Sequence, residues 1–153
     1  MKKFLEFAGF CAFGLALVGF ILMMATPAVV TKDADALLSG TGAIFGGEYA
    51  DPVVLALLAW IFGLLGILVL CALVVLPLLK IKVLDKFACF IGFGLCLLFV
   101  LVGVFMFCVR AAANSGSILN VGYIGAGWVI GGILFILAGL VVVLPGLMKL
   151  LKK

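Results

Sequence analysis

Four long stretches of this chain carry no charged residue: Phe7–Ala25, Val53–Leu79, Phe87–Val109 and Val121–Met148. The shortest has 19 residues, and about 20 apolar residues in a helix cross the ~30 Å hydrocarbon core of a bilayer. A peptide group left unpaired in hydrocarbon is so costly that a crossing segment must satisfy its own backbone, which a helix does. Composition points the same way: 69% of residues are apolar, 10% are charged and the mean hydropathy is +1.58. A soluble domain holds about 45–50% apolar and about 25% charged residues. The expected fold is an all-α integral membrane protein, a single domain over 1–153 with four transmembrane helices near 4–25, 53–79, 87–109 and 121–148.

Within that frame the chain repeats itself. Trp60–Leu79 slides onto Trp128–Leu147 so that the two tryptophans, Gly63 with Gly131, and Val-Val-Leu-Pro at 74–77 with 142–145 coincide. Ahead of them, Lys3-Phe4, Phe7 and Gly9-Phe10 match Lys86-Phe87, Phe90 and Gly92-Phe93. Matched leucines mean little in so apolar a sequence; both tryptophans and two of four prolines mean more. The spacing predicts a tandem duplicated helical hairpin, repeat 1 over 1–82 and repeat 2 over 83–153. Two spans per half make both halves enter the membrane the same way, so a pseudo-two-fold axis along the membrane normal is expected. The first helices match at an offset of 83 residues and the second at 68, so the first interhelical loop is 15 residues longer than its counterpart.

Lysines set the orientation. Lys2, Lys3, Lys80, Lys82, Lys86, Lys149, Lys152 and Lys153 flank one side of the spans, whereas Lys32 and Arg110 share the other with Asp33, Asp35, Glu48 and Asp51. Positive-inside counting places both termini and the middle loop in the cytoplasm, and loops 26–52 and 110–120 outside. The expected location is a bacterial plasma membrane, with the lipid bilayer as the first partner. The few basic residues lie beside spans and suit anionic headgroups, so nucleic acid is not an expected partner. The first span is expected to be retained rather than cleaved, because its apolar run exceeds a signal h-region and it has a mid-chain repeat partner.

Small residues should seat one helix on another, since lipid tails are as apolar as leucine and association depends on close fit. The helix-packing candidates are Ala8, Ala12 and Ala16 in the first span, Ala59 and Gly63 in the second, and Gly127 and Gly131 in the fourth. Trp60 and Trp128 fall near the outer boundary, as interface anchors do. Pro77 and Pro145 fall near the cytoplasmic ends of their spans, where each removes a helical hydrogen bond.

Little in the chain promises chemistry. It has no histidine, the commonest general base and metal ligand. No Asp, Glu, Lys or Arg stands in the middle of a span, where proton relays and ion sites need one, and Glu6 pairs best with the lysines one turn away. Cys11, Cys71, Cys89, Cys96 and Cys108 contain no C-x-x-C pair and read as small apolar residues. No enzyme activity, cofactor or metal is expected.

Only the long loop offers room for recognition. Asp33 is a candidate cap for a short helix over 34–38, and Ile44-Phe45 among glycines suggests a segment folded back on the helix ends. Asp35, Thr41, Ile44, Phe45, Glu48 and Tyr49 are the candidate partner-facing residues. Arg110, in the second loop, is placed to meet the acids of the first. The expected function is that of a non-catalytic small membrane protein acting by helix–helix association, as an accessory subunit, scaffold or homo-oligomer, its partner a second copy or another membrane protein. The alternative is a transporter or channel-like protein with a pathway between the duplicated hairpins or at an oligomer axis.

Overall fold

A computed structural model of the chain describes residues 2–31, 33, 35–47, 51–78, 87–114 and 122–151. In chain order the elements are α1 (Lys2–Ala25), β1 (Val29–Val30), β2 (Ala36–Leu38), α2 (Gly40–Phe45), α3 (Val54–Leu78), α4 (Ala88–Asn114), β3 (Tyr123–Ile124) and α5 (Ala126–Leu150). The chain is mostly helical, and α1, α3, α4 and α5 are long and apolar enough to cross a membrane. This is the build of a multi-pass membrane protein. α5 packs on both α4 and α1, and α3 on both α4 and, more lightly, α1, so the four form a closed ring.

The helices are inverted relative to those of a soluble bundle. The buried face of α1 is Ala8, Ala12, Ala16 and Met23, while Phe7, Phe10, Val18 and Ile21 point outward. The same holds for α4, where Phe90 and Leu97 are among the most exposed side chains. In water such a surface would drive aggregation; against hydrocarbon it costs nothing, and the small residues inside let backbones approach.

At the bundle centre stands Phe135 of α5, fully buried. Its ring lies in a cradle of glycines: a Cβ on Gly19 of α1 would come within 3.2 Å of Phe135 Cδ2, and one on Gly63 of α3 within 3.3 Å of its Cζ. Phe99 of α4 closes the fourth side, ring centroids 5.7 Å apart. One large ring thus draws on all four helices. Trp128, Met23, Leu70, Met106, Val102 and Val109 complete a filled interior, and among the described residues no polar or charged residue is buried.

The helical class holds, and the loops add detail to it. A small three-stranded antiparallel sheet of order β2-β1-β3 joins the two interhelical loops at one end of the bundle. Val29 registers with Leu38 on one side and Ile124 on the other. The expected fourth span began at 121, but Tyr123-Ile124 pairs with β1, and α5 starts at Ala126. The expected third span ended at 109, but α4 continues to Asn114. Hydropathy marks where a bilayer could end, whereas Arg110 and the alanines after it are good helix formers that carry the helix further. The short helix expected over 34–38 is not found where the chain is described: Ala36–Leu38 is strand β2, because Val29-Val30 offers it a partner. The short helix lies later, over Gly40–Phe45, and its cap is Ser39, whose hydroxyl oxygen accepts a hydrogen bond from Gly42 N at 3.0 Å.

Candidate functional site

Two regions hold the candidate residues: the helix crossings and the cap built on the loop end of the bundle. At the crossings, Ala8, Ala12, Ala16 and Ala59 are buried, and Gly63 and Gly131 are buried with them. A Cβ on Gly131 would sit 3.1 Å from the Gly19 carbonyl oxygen, and one on Gly19 would sit 3.1 Å from the Gly131 carbonyl oxygen. The α1–α5 crossing is therefore a reciprocal backbone contact. Gly127, near the start of α5, abuts the side chain of Thr26. Sequence reasoning missed Gly19 and Gly103, each without a small residue four positions away to mark it. A Cβ on Gly103 would meet the Gly132 carbonyl oxygen at 2.9 Å, which makes α4–α5 the second close crossing.

The cap grows from the end of α1. Thr26 returns both its backbone N–H (3.0 Å) and its hydroxyl (2.6 Å) to the Leu22 carbonyl. Its own carbonyl is left free and accepts a long hydrogen bond, 3.3 Å, from Trp128 Nε1. Trp128 is fully buried, whereas Trp60 is part-buried between Phe20 (centroids 6.3 Å) and Phe45 (5.1 Å, edge-to-face). α2 is seated directly on this corner. Gly40 lies so close to the Met23 and Thr26 carbonyl oxygens that any side chain would collide, the Thr26 oxygen at 2.6 Å from a Cβ. Val53 N donates to the Ala43 carbonyl at 2.8 Å and ties α2 to the start of α3.

This geometry sorts the loop residues into two sets. Ile44 is fully buried together with Ala43, Val29 and Ala28, and forms the underside of a packed lid. Asp35, Thr41 and Phe45 are exposed, joined by Asp33 and Leu37. Glu48 and Tyr49 lie outside the described residues. Arg110 was expected beside the loop acids; its guanidinium instead lies 5.2 Å from the Tyr123 ring centroid, a cation–π contact between α4 and β3. Among the described residues, the β1–β3 pairing joins the two loops.

Elsewhere the helices leave an open apolar groove of about 320 Å3 between α3 and α4, with Leu65, Gly66 and Val69 facing Ile91, Gly94 and Leu98. Cys108 is exposed and the other four cysteines are part-buried. Among the described residues no three His, Cys, Asp or Glu side chains gather as a metal site would require. The described surface carries apolar side chains and a few carboxylates. The fold and its surfaces define a multi-pass membrane protein with a structured cap. Comparison with family models, curated proteins and solved structures finds no match.

Proposed function

We propose that this chain is a non-catalytic plasma-membrane protein of a bacterium that works by association, presenting its cap to a second copy or to a neighbouring membrane protein. Its termini lie in the cytoplasm and the cap lies outside, as the distribution of lysines favours. The observation that carries the reading is the two-sided cap: Ile44, Ala43 and Leu38 are buried beneath it, while Leu37, Thr41 and Phe45 are left exposed above. A loop needed only to connect two helices requires neither layer. The filled interior around Phe135 favours this reading over a pathway between the hairpins.

The four-span ring is a tandem duplicated hairpin in this reading. The neighbour relations support it, since α1 touches α3 and α5 while its repeat partner α4 touches α5 and α3. A two-fold axis along the membrane normal exchanges these pairs.

The test leaves the lid intact. Leu37→Asp with Thr41→Arg changes two exposed side chains, and surface changes of this kind typically alter stability by no more than about 0.5 kcal/mol. A photo-crosslinker in place of Asp35 in intact membranes should join the wild-type chain to a second copy or to another membrane protein of defined mass. The double variant should lose that product while melting at the wild-type temperature in mild detergent. Identical crosslinking in the double variant would remove the cap from consideration and leave the intramembrane faces, the α3–α4 groove first among them.

A further inference from the structure

The indole N–H of Trp60 is buried and has no hydrogen-bond partner among the described residues. Its repeat counterpart, Trp128, donates to the Thr26 carbonyl. α1 stops at Ala25, so the Thr26 carbonyl is free of helical duty and accepts from Trp128. Trp60 lies instead against Phe20 of α1 and Phe45 of α2, two side chains with no acceptor to offer.

A buried donor left unpaired is expensive and rare, so its position points to an acceptor supplied from elsewhere. The surroundings define which. Trp60 stands six residues into α3, and Phe20, Phe45 and the exposed Ile61 surround it. A molecule arriving there comes from hydrocarbon, and it must carry an acceptor at the depth where spans meet the headgroup region. The acyl ester carbonyl of a bilayer lipid has both properties. Trp60 is approached past Phe45, the last residue of α2, packed edge-to-face on the indole yet 53% exposed. Immediately beyond come Gly46, with φ of 80°, and Gly47, which free the backbone to turn there.

We propose that Trp60, Phe20 and Phe45 form a lipid site in which the ester carbonyl of one glycerolipid accepts the Trp60 N–H after Phe45 moves off the ring. Phe45 borders both this site and the association surface, and the Leu37→Asp/Thr41→Arg test probes the latter without touching Phe45 or Trp60.

The experiment uses the full chain in mild detergent and a phosphatidylcholine brominated near the carbonyl end of one acyl chain. In Trp128→Phe, where Trp60 is the single tryptophan, bromolipid should quench fluorescence saturably. Native mass spectrometry should show one lipid retained by the wild-type chain. Trp60→Phe keeps the ring and removes the N–H, and should retain that lipid about fivefold more weakly, the worth of one ordinary hydrogen bond. Phe45→Ala should bind it more tightly. Quenching that rises without saturation as lipid is added, or equal retention by Trp60→Phe and wild type, overturns the proposal. So does quenching that follows the dimer fraction, since a second chain would then supply the acceptor. If Trp128→Phe does not fold, the Trp60→Phe retention measurement decides alone.

Discussion

Gly131→Ala puts one methyl group where α1 and α5 come closest. Its Cβ would lie 3.1 Å from the Gly19 carbonyl oxygen, 2.9 Å from Met106 Cε and 3.7 Å from Leu22 Cβ. The methionine end is flexible and can swing aside. The carbonyl belongs to the backbone of α1 and yields only if the helix moves. Overpacking of this kind costs about 1–3 kcal/mol. Replacing glycine by alanine inside a helix returns up to about 1 kcal/mol, and less where spans are already helical before they associate. The expected net loss is about 1–2 kcal/mol, with Gly131→Leu at or beyond the upper end of that range. Gly94→Ala is the matched control, because nothing lies within 4 Å of a Cβ there. Leu134, also in α5, is part-buried and would serve less well. Thermal unfolding in one mild detergent separates the variants, since a chain of this size shifts by roughly 2–4 °C per kcal/mol. Gly94→Ala should melt with the wild type or slightly above it. Equal melting temperatures for Gly131→Ala and Gly94→Ala would refute the close-crossing reasoning.

Three further outcomes are expected. Cysteines introduced at Ser39 and Ser117 in a cysteine-free background should react with impermeant reagent from outside the cell; reaction only after the cytoplasmic face is opened would invert the topology. Ser39→Ala removes the acceptor for Gly42 N and should cost about 1 kcal/mol, read as faster proteolysis or amide exchange within 40–47 while the long helices keep their protection. Ile44→Ala removes a fully buried side chain and should cost about 2–5 kcal/mol, opening the cap. Phe45→Ser, one residue on but exposed, should leave the melting temperature within about 2 °C of wild type.

How much the sequence disclosed differs between bundle and cap. The spans were legible because hydrocarbon imposes one rule on every residue inside it, and runs without charge are easy to count. The small residues that face inward were legible where they recur four apart, as in Ala8, Ala12 and Ala16. Gly19 and Gly103 were not, because their partners lie on other helices and leave no local pattern. The cap was misread for a related reason. Asp33 before a short apolar run looks like a helix start. A distant contact reverses that reading, since β1 recruits 36–38 as a strand; Gly40 is glycine because α1 ends against it. Trp60 and Trp128 match in sequence and differ in hydrogen bonding, since that depends on what each ring packs against.

The strand order β2-β1-β3 bears on how the chain is made. β1 can pair with β2 as soon as the first loop is made, but its other edge waits for Tyr123-Ile124, which comes only after α3 and α4. Until α5 is in place, the first hairpin carries an open strand edge and lacks Trp128 against Thr26. Closure of the sheet therefore follows the making of α4. A chain arrested before α5 displays an unpaired edge that a membrane protease or a stray strand can engage, so an unfinished copy is chemically distinguishable from a finished one.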